Sequence, residues 1–293
     1  MTEQPAFVAA LLERCHFPDE HQLNCAVSGG ADSMALLVLA TATGANVHAV
    51  HVDHGLRRES SREAQLVEAA AVRFGATFEA VAVDIEVGPN LEARARCARY
   101  AALPDSVLTG HTADDQAETV LLGLLRGSAW TGMSGMDPSG RPLLSLRRSE
   151  TVGLCLDLGL EVVDDPSNRD LAYRRNRIRH ELLPLLTDIG ERDPVPVITR
   201  QAQLFGQGGE VIAERAEELD VTDADSLASA PEIVAREAVR QWLWAGTKGD
   251  YPPDLATVDR VLQVARLEIG ATEVGRGWRV DRSNKRLRLT PPH

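Results

Sequence analysis

The 293-residue chain reads as an α/β protein, with a parallel doubly wound sheet in residues 1–190 and a second, smaller, mainly helical C-terminal domain in residues 191–293. Three observations carry this reading. In the first half, a short apolar run, a turn and an amphipathic helix recur four times, and that order implies right-handed crossovers within a parallel sheet. Beyond about residue 130 the unit stops at a stretch rich in Gly, Pro and Ser, and long amphipathic helices follow. The length suits two domains, and 44% hydrophobic residues supply a real core.

In order, "LNCAV" (23–27) leads into a helix from about Asp32 to Thr43, closed by Gly44. "NVHAVHV" (46–52) leads into a helix from about Ser60 to Phe74, closed by Gly75. "TFEAVAVD" (77–84) leads into "NLEARARCARYAAL" (90–103), and "SVLTG" (106–110) into "ADDQAETVLLGLLRG" (113–127). Ligands of open parallel sheets bind beyond the carboxyl ends of the strands. Those ends carry Ser28-Gly29-Gly30, His51 to His54, Asp84, and Gly110-His111. "WTGMSGMDPSGRPLL" (130–144) reads as a flexible loop running into a strand-like "RPLLSL", then a short helix near 149–159. "YRRNRIRHELLPLL" (173–186) and about Pro194 to Leu219 read as helices. Two more amphipathic helices and a hairpin turning at Ser-Asn-Lys complete the chain.

Charge and cysteine content exclude several classes. A net charge of −12 argues against nucleic-acid binding over the whole surface, yet five arginines fall between Arg169 and Arg179. Another five, with Lys285, fall between Arg276 and Arg288, where either a contact with a phosphate backbone or a charged, aggregation-resistant hairpin edge explains them. Four scattered cysteines without a C-x-x-C pair point to reduced thiols rather than a disulfide frame or zinc site. No run approaches the roughly 18 apolar residues of a membrane span. The N-terminus lacks the basic region and cleavage site of a leader, so no membrane association and a cytoplasmic location are expected.

"AVSGGADSMALL" (26–37) carries the chemistry. A Walker loop requires a lysine that is missing here. Gly29 and Gly30 can still turn successive N–H groups toward one oxyanion, and a helix starting near Asp32 adds unpaired amides and a positive dipole end. Ser28 and Ser33 add hydroxyls, while Asp32 suits a helix cap or a magnesium ligand. The other constellation is "HTADDQAE", where Asp114 and Glu118 stand four apart and Asp115 and Glu118 three apart, sharing a helix face. Carboxylates at a helix start also suit the dipole without any ligand.

S-G-G-x-D-S after the first strand resembles the pyrophosphate-loop ATPases, which adenylate their substrates. Within that group the chain is similar to the tRNA(Ile)-lysidine synthetase family, over "HVDHGLRRES" (51–60), "NLEARARCARY" (90–100), "GHTADDQAETVLLGLLRGSAWTGMSGM" (110–136), "RPLL" (141–144) and "DDPSNRDLAYRRNRIRHELLPLL" (164–186). The resemblance implies an adenine-nucleotide α-hydrolase-like sheet and ATP with Mg2+. Its reaction attaches free L-lysine to C2 of the wobble cytidine of an isoleucine tRNA with a CAU anticodon. By the same resemblance Ser28, Gly29, Gly30, Ala31, Asp32 and Ser33 hold the phosphates, with Asp32 approaching magnesium. His51 and Asp53 lie by the adenine and ribose, although a core histidine explains His51 equally well, and Arg96 matches a phosphate contact.

The lysine step has a protonation problem, since only about one side chain in 10³ is neutral at pH 7. His111, Asp114, Asp115 and Glu118 form an acidic pocket that attracts the cation and takes its proton. Arg175, Asn176 and Arg179 match the family's R-N-x-x-R, read as contacts to the tRNA or the adenylated intermediate, and Arg126 stands at the base of the mobile loop. Asp32, His111, Asp115, Glu118 and Arg179 are the catalytic candidates. tRNA thiolation, amidotransfer to a small carboxylate and a non-catalytic ATP-binding module are the rivals. No oligomeric state is legible.

Overall fold

The computed structural model describes residues 5–53, 60–83, 101–128, 130–247 and 253–292. It divides into two compact units, residues 1–126 with 135–201, and residues 127–134 with 202–293. That division differs from a single cut at residue 190. The helix Val195–Glu217 begins in the first unit and continues into the second, and the loop 127–134 belongs with the second. The loop is anchored there. Trp130, in the one-turn helix Trp130–Met133, tilts against Phe205 with ring centroids 5.5 Å apart, and Gly208 and Gly209 leave it room.

In the first unit four parallel strands stand in the order β3-β2-β1-β4: β1 (Gln22–Ala26), β2 (Asn46–Asp53), β3 (Thr77–Ala82) and β4 (Leu108–Thr109). After α1 (Ala6–Leu12) the chain winds outward from β1 through α2 (Ala31–Ala42) and α3 (Ser60–Phe74) to β3. It then returns to the other side of β1 at β4. That reversal makes the gap between β1 and β4 the topological switch point, where such sheets bind ligands. Residues Ser33 to Ala40 of α2 are all buried, and the helix packs between the sheet and the helix Arg148–Asp157. The core there is Leu23, Cys25, Val27, Leu36, Leu37, Leu39, Val47 and Ala49 with Leu143, Leu146 and Leu154.

"RPLLSL" is not a strand. Residues 141–146 form successive turns in which Leu143 and Leu146, three apart, are both fully buried, a spacing that a strand cannot direct to one face. The helix predicted over 173–186 forms over residues 174–190, but as α-helix Arg174–Arg177, a π turn Ile178–Leu182 and α-helix Leu183–Gly190. Pro184 has no N–H for the carbonyl four residues back, which accounts for the wider turn before it. Ala113, Ala117 and Leu121 of α4 (Ala113–Leu125) pack on Ile178, Leu183 and Val195, and the two alanines allow close approach.

The second unit joins the helices Ala224–Ser229, Glu232–Gly246 and Leu255–Ala265 to an antiparallel sheet, Ala271–Gly275, Trp278–Ser283 and Arg286–Thr290. Its core includes Leu227, Val239, Leu243, Val261, Leu262 and Val280. Asn284 and Lys285 turn the predicted hairpin with φ of 47° and 65°, as a two-residue mirror-type turn requires.

Candidate active site

The loop between β1 and α2 takes its shape from a few local bonds. Gly29 has φ of +89°, and a Cβ there would lie 2.9 Å from Val163 Cγ2, so only glycine fits. The Ser33 hydroxyl accepts from the Ser28 amide at 3.1 Å and donates to the Gly30 carbonyl at 2.9 Å, while the Ser28 and Ser33 hydroxyl oxygens stand 3.1 Å apart. Ser33 therefore closes the loop, and Ser28, which is exposed, is the outward hydroxyl of the pair. The first helical amide bond is Met34 to the Gly30 carbonyl, so the amides of residues 30–33 lie at the end of α2 without an intrahelical acceptor. Gly110 ends β4 so close to this turn that a Cβ would sit 2.5 Å from the Asp32 carbonyl oxygen.

His51, two residues before the end of β2, lies beside this loop, 2% exposed, its Nδ1 donating to the Val27 carbonyl at 2.8 Å. Its Nε2, the acceptor in the neutral ring, is buried without a partner among the described residues. It is a core histidine that also keeps an acceptor unsatisfied. Asp53 closes the same strand. His54, Asp84, Arg96 and Arg99 lie outside the described residues.

Asp32 does not cap its helix. Its carboxylate accepts from the Thr151 hydroxyl and from Arg148 Nε at 3.2 Å. Burial pushes its pKa up, and the bonds from Thr151 and the charge of Arg148 reverse that only in part. Among the described residues no three His, Cys, Asp or Glu side chains cluster as a metal site. Asp32 alone still fits a magnesium ion that carries most of its ligands as water and phosphate oxygens.

The acidic residues of α4 are gathered at the rim as expected, but not as an open pocket. Asp115 accepts from the Thr112 amide at 2.9 Å, capping the helix, and from Arg148 Nη2 at 2.7 Å and Arg175 Nη2 at 3.1 Å. Glu118 is fully buried and is gripped by three arginines. Arg179 Nε at 2.7 Å and Arg148 Nη1 at 3.2 Å donate to Oε1; Arg175 Nε at 2.6 Å and Arg179 Nη2 at 3.1 Å donate to Oε2. Asp114 takes both prongs of Arg147, at 2.9 and 3.0 Å, and the Arg148 amide at 2.8 Å.

Burial pushes the Asp115 carboxyl up, but Arg148, Arg175 and the Thr112 amide outweigh it and hold it below the ordinary value. Asp114 is held low likewise, by Arg147 and the Arg148 amide. Held this way, Asp114 and Asp115 are weak proton acceptors, which counts against either of them as the base. His111 stands at the same rim, with Nδ1 2.8 Å from the Thr109 hydroxyl.

R-N-x-x-R thus divides its labour. Arg175 and Arg179 are counter-ions of Glu118. Asn176 is buried and donates both amide protons to the Ser167 and Asp170 carbonyls, at 2.7 and 2.8 Å, fixing the turn before its helix. A cavity of about 200 Å³ opens onto this network, lined by Asp114, Glu118, Arg147, Arg179, Asp193 and Val195. A larger one of about 520 Å³, between α4 and the helical run 174–190, has Leu122, Ile178, Leu182 and Leu185 in its walls, with Arg126 and Arg174.

Arg147, Arg148, Thr151 and Asp193 were not found by sequence reasoning. One signal was available: two arginines at the start of a predicted helix oppose its dipole and so call for acidic partners. The basic tail, open to reading as a phosphate contact or a charged hairpin edge, has acidic partners within the fold. Arg282 and Lys285 both pair with Asp225, and Arg286 pairs with Asp220, so the neighbouring acidic segment neutralises much of it. A sulfur-carrying cysteine has little support, since burial pushes the Cys25 thiol up to about 12 and the Cys155 thiol up to about 11. Cys97 lies outside the described residues.

The profile of the PP-loop domain matches residues 4–186. A curated tRNA(Ile)-lysidine synthase from Rhodococcus erythropolis is 42% identical over 264 residues, spanning 84% of this chain and 81% of the relative. One from Nocardia farcinica is 41% identical over 286 residues, 90% of each. The solved U34-tRNA thiolase NcsA from Methanococcus maripaludis superposes with a TM-score of 0.51 at 15% identity, over 68% of this chain and 78% of that one, a likeness of fold alone. A glycine-turned anion loop at the switch point, an acid helix beside it and identities near 40% along most of both chains agree: the chain belongs to the PP-loop proteins and, within them, to the tRNA(Ile)-lysidine synthase family.

Proposed function

We propose that this protein is a ligase that uses ATP to join L-lysine, through its side-chain amine, to C2 of the wobble cytidine of an isoleucine tRNA with a CAU anticodon. The observation that carries the reading is the shared rim, where the anion loop and the α4 acids meet through one guanidinium, Arg148. In the first half-reaction the cytidine C2 oxygen attacks the α-phosphorus of ATP, and pyrophosphate leaves. The amides of residues 29–33, the Ser28 hydroxyl and the dipole of α2 stabilise the departing charge. Asp32 would hold Mg2+, which would supply charge neutralisation when bound. His51 Nε2 offers the nucleotide an acceptor.

In the second half-reaction the lysine amine attacks C2, the C–O bond breaks and AMP leaves. Asp115 and Glu118 attract the ammonium, and His111, rather than a carboxylate held low, takes the proton. Arg175 and Arg179 hold those acids in place, Asn176 positions their helix, and Arg126 with Arg174 contacts tRNA phosphate. Arg96 is assigned by its motif alone.

Purified protein incubated with ATP, magnesium, labelled lysine and the CAU-anticodon isoleucine tRNA tests this. Both pyrophosphate and tRNA-bound lysine are expected, and both should vanish when the wobble cytidine is replaced. Pyrophosphate without lysine transfer would remove lysine as second substrate. ATP binding with neither product would favour the non-catalytic module.

A further inference from the structure

The α4 acids are a closed set. Both carboxylate oxygens of Asp114, Asp115 and Glu118 already accept at least one N–H. Four carboxylates, with Asp32, face four guanidiniums, Arg147, Arg148, Arg175 and Arg179, and Arg147 pairs with Asp193 as well, so each of these cations already has a carboxylate partner. Each oxygen of Asp115 and Glu118 accepts two donors, so an arriving ammonium finds no vacant lone pair on either until a guanidinium withdraws.

Arg148 is the one positioned to withdraw under control. Arg147 holds Asp114 and Asp193, while Arg175 and Arg179 hold only Asp115 and Glu118. Arg148 alone among these four also reaches the loop, its Nε on Asp32 in the first turn of α2. Its bond to Glu118, at 3.2 Å, is longer than those of Arg175 at 2.6 Å and Arg179 at 2.7 Å. If it leaves, Asp115 keeps Arg175 and Glu118 keeps two arginines, so neither becomes an uncompensated buried charge. Polyphosphate on the loop amides supplies the attraction that moves it.

We propose that Arg148 is a positioning residue that couples the two sites: nucleotide phosphate at the loop draws its guanidinium from Asp115 and Glu118, opening acceptors for the lysine ammonium. This rests on the lysine reading above. It makes nucleotide and lysine binding cooperative, and by linkage each strengthens the other by one common factor.

The test is equilibrium binding on the full chain. L-lysine is titrated calorimetrically with and without Mg2+ and α,β-methylene ATP, which cannot release pyrophosphate. In the wild-type protein the analogue is expected to tighten lysine binding on the order of tenfold, within the usual range of about 5–150-fold, with the reciprocal titration giving the same factor. Arg148→Gln is expected to bind lysine without nucleotide about as well as the wild type does with it, so the factor falls to near one. A residue that merely braces the fold would lower both affinities and leave their ratio alone. Arg148→Lys keeps the charge without the fork and is expected to show a several-fold smaller factor.

A wild-type factor of one overturns the coupling without recourse to any variant, and so does an undiminished factor in either variant. Lysine that fails to bind even with the analogue in place would sink the lysine reading itself. Lysine that binds with an unchanged ratio sinks only the role of Arg148.

Discussion

Glu118→Gln isolates the centre of the charge network. The carboxylate is fully buried and accepts four N–H bonds from Arg148, Arg175 and Arg179. The amide keeps one oxygen but presents an N–H₂ group to donors and removes the carboxylate charge that faces Arg148, Arg175 and Arg179. Removing one partner of a buried ion pair costs about 3–5 kcal/mol. The three guanidiniums retain 25%, 35% and 22% side-chain exposure, so water recovers part of the loss and about 3 kcal/mol is expected. For a unit of about 150–250 residues each kcal/mol shifts Tm by about 2–4 °C, which places the decrease at about 6–12 °C. Differential scanning calorimetry of the full chain reads it on the transition that moves. Adding Arg179→Met removes one stranded donor and should restore part of the loss, a coupling that the double-mutant cycle measures directly. A Tm within about 2 °C of wild type, or strict additivity in the cycle, would refute the claim that Glu118 holds these arginines.

Asp32→Asn should abolish pyrophosphate release and lower Tm by less than Glu118→Gln does, because burial raises this carboxyl above its ordinary value and part of what the amide loses at Arg148 and Thr151 is regained by not burying the charge; a Tm loss as large as that of Glu118→Gln would contradict it. Asp114 and Asp115 are shifted the other way. Their stabilisation is present above the ordinary value of 3.8 and lost as pH falls through the lower folded values, so acid unfolding should be less steep below about pH 4 in Asp114→Asn than in wild type. Gly110→Ala drives a Cβ against the Asp32 carbonyl and should weaken binding of the ATP analogue at least several-fold, which titration checks. Peptide mapping after iodoacetamide at pH 7.5 should leave Cys15, Cys25 and Cys155 unlabelled in the native chain, since burial pushes them up to about 12, 12 and 11. Arg282→Gln should lower Tm and leave the salt slope of tRNA binding unchanged, whereas Arg126→Gln with Arg174→Gln should flatten that slope by about two.

What the sequence disclosed divides along a physical line. Strands β1 to β3 and helices α2 to α4 were legible because each depends on a local period and a local stop. Where β4 inserts was not, since only packing decides on which side of β1 it pairs. "RPLLSL" misled because a short apolar run does not distinguish a strand from buried turns. Asp114, Asp115 and Glu118 were found through their shared helix face. Arg147 and Arg148 were missed because their partners lie more than 25 residues away in sequence, and no period links such positions. The loop around Trp130 was read as mobile from its glycines, but two further glycines at 208 and 209 make the room that pins it.

The use of arginine follows from the same geometry. One guanidinium at position 148 meets carboxylates at 32, 115 and 118 with three different nitrogens, and Arg179 meets both oxygens of Glu118 at once. An ammonium is a compact point charge and does not span such a set of acceptors. Position 148 therefore demands arginine, whatever base composition contributes to the 29 arginines and two lysines of the chain. The distinction reaches the substrate. A cluster whose resident cations are planar forks, and whose proposed visitor is a single ammonium, tells the two apart by shape. The visitor satisfies the acceptors on Asp115 and Glu118 that the withdrawn Arg148 vacates, and it leaves the bidentate grip of Arg179 on Glu118 undisturbed.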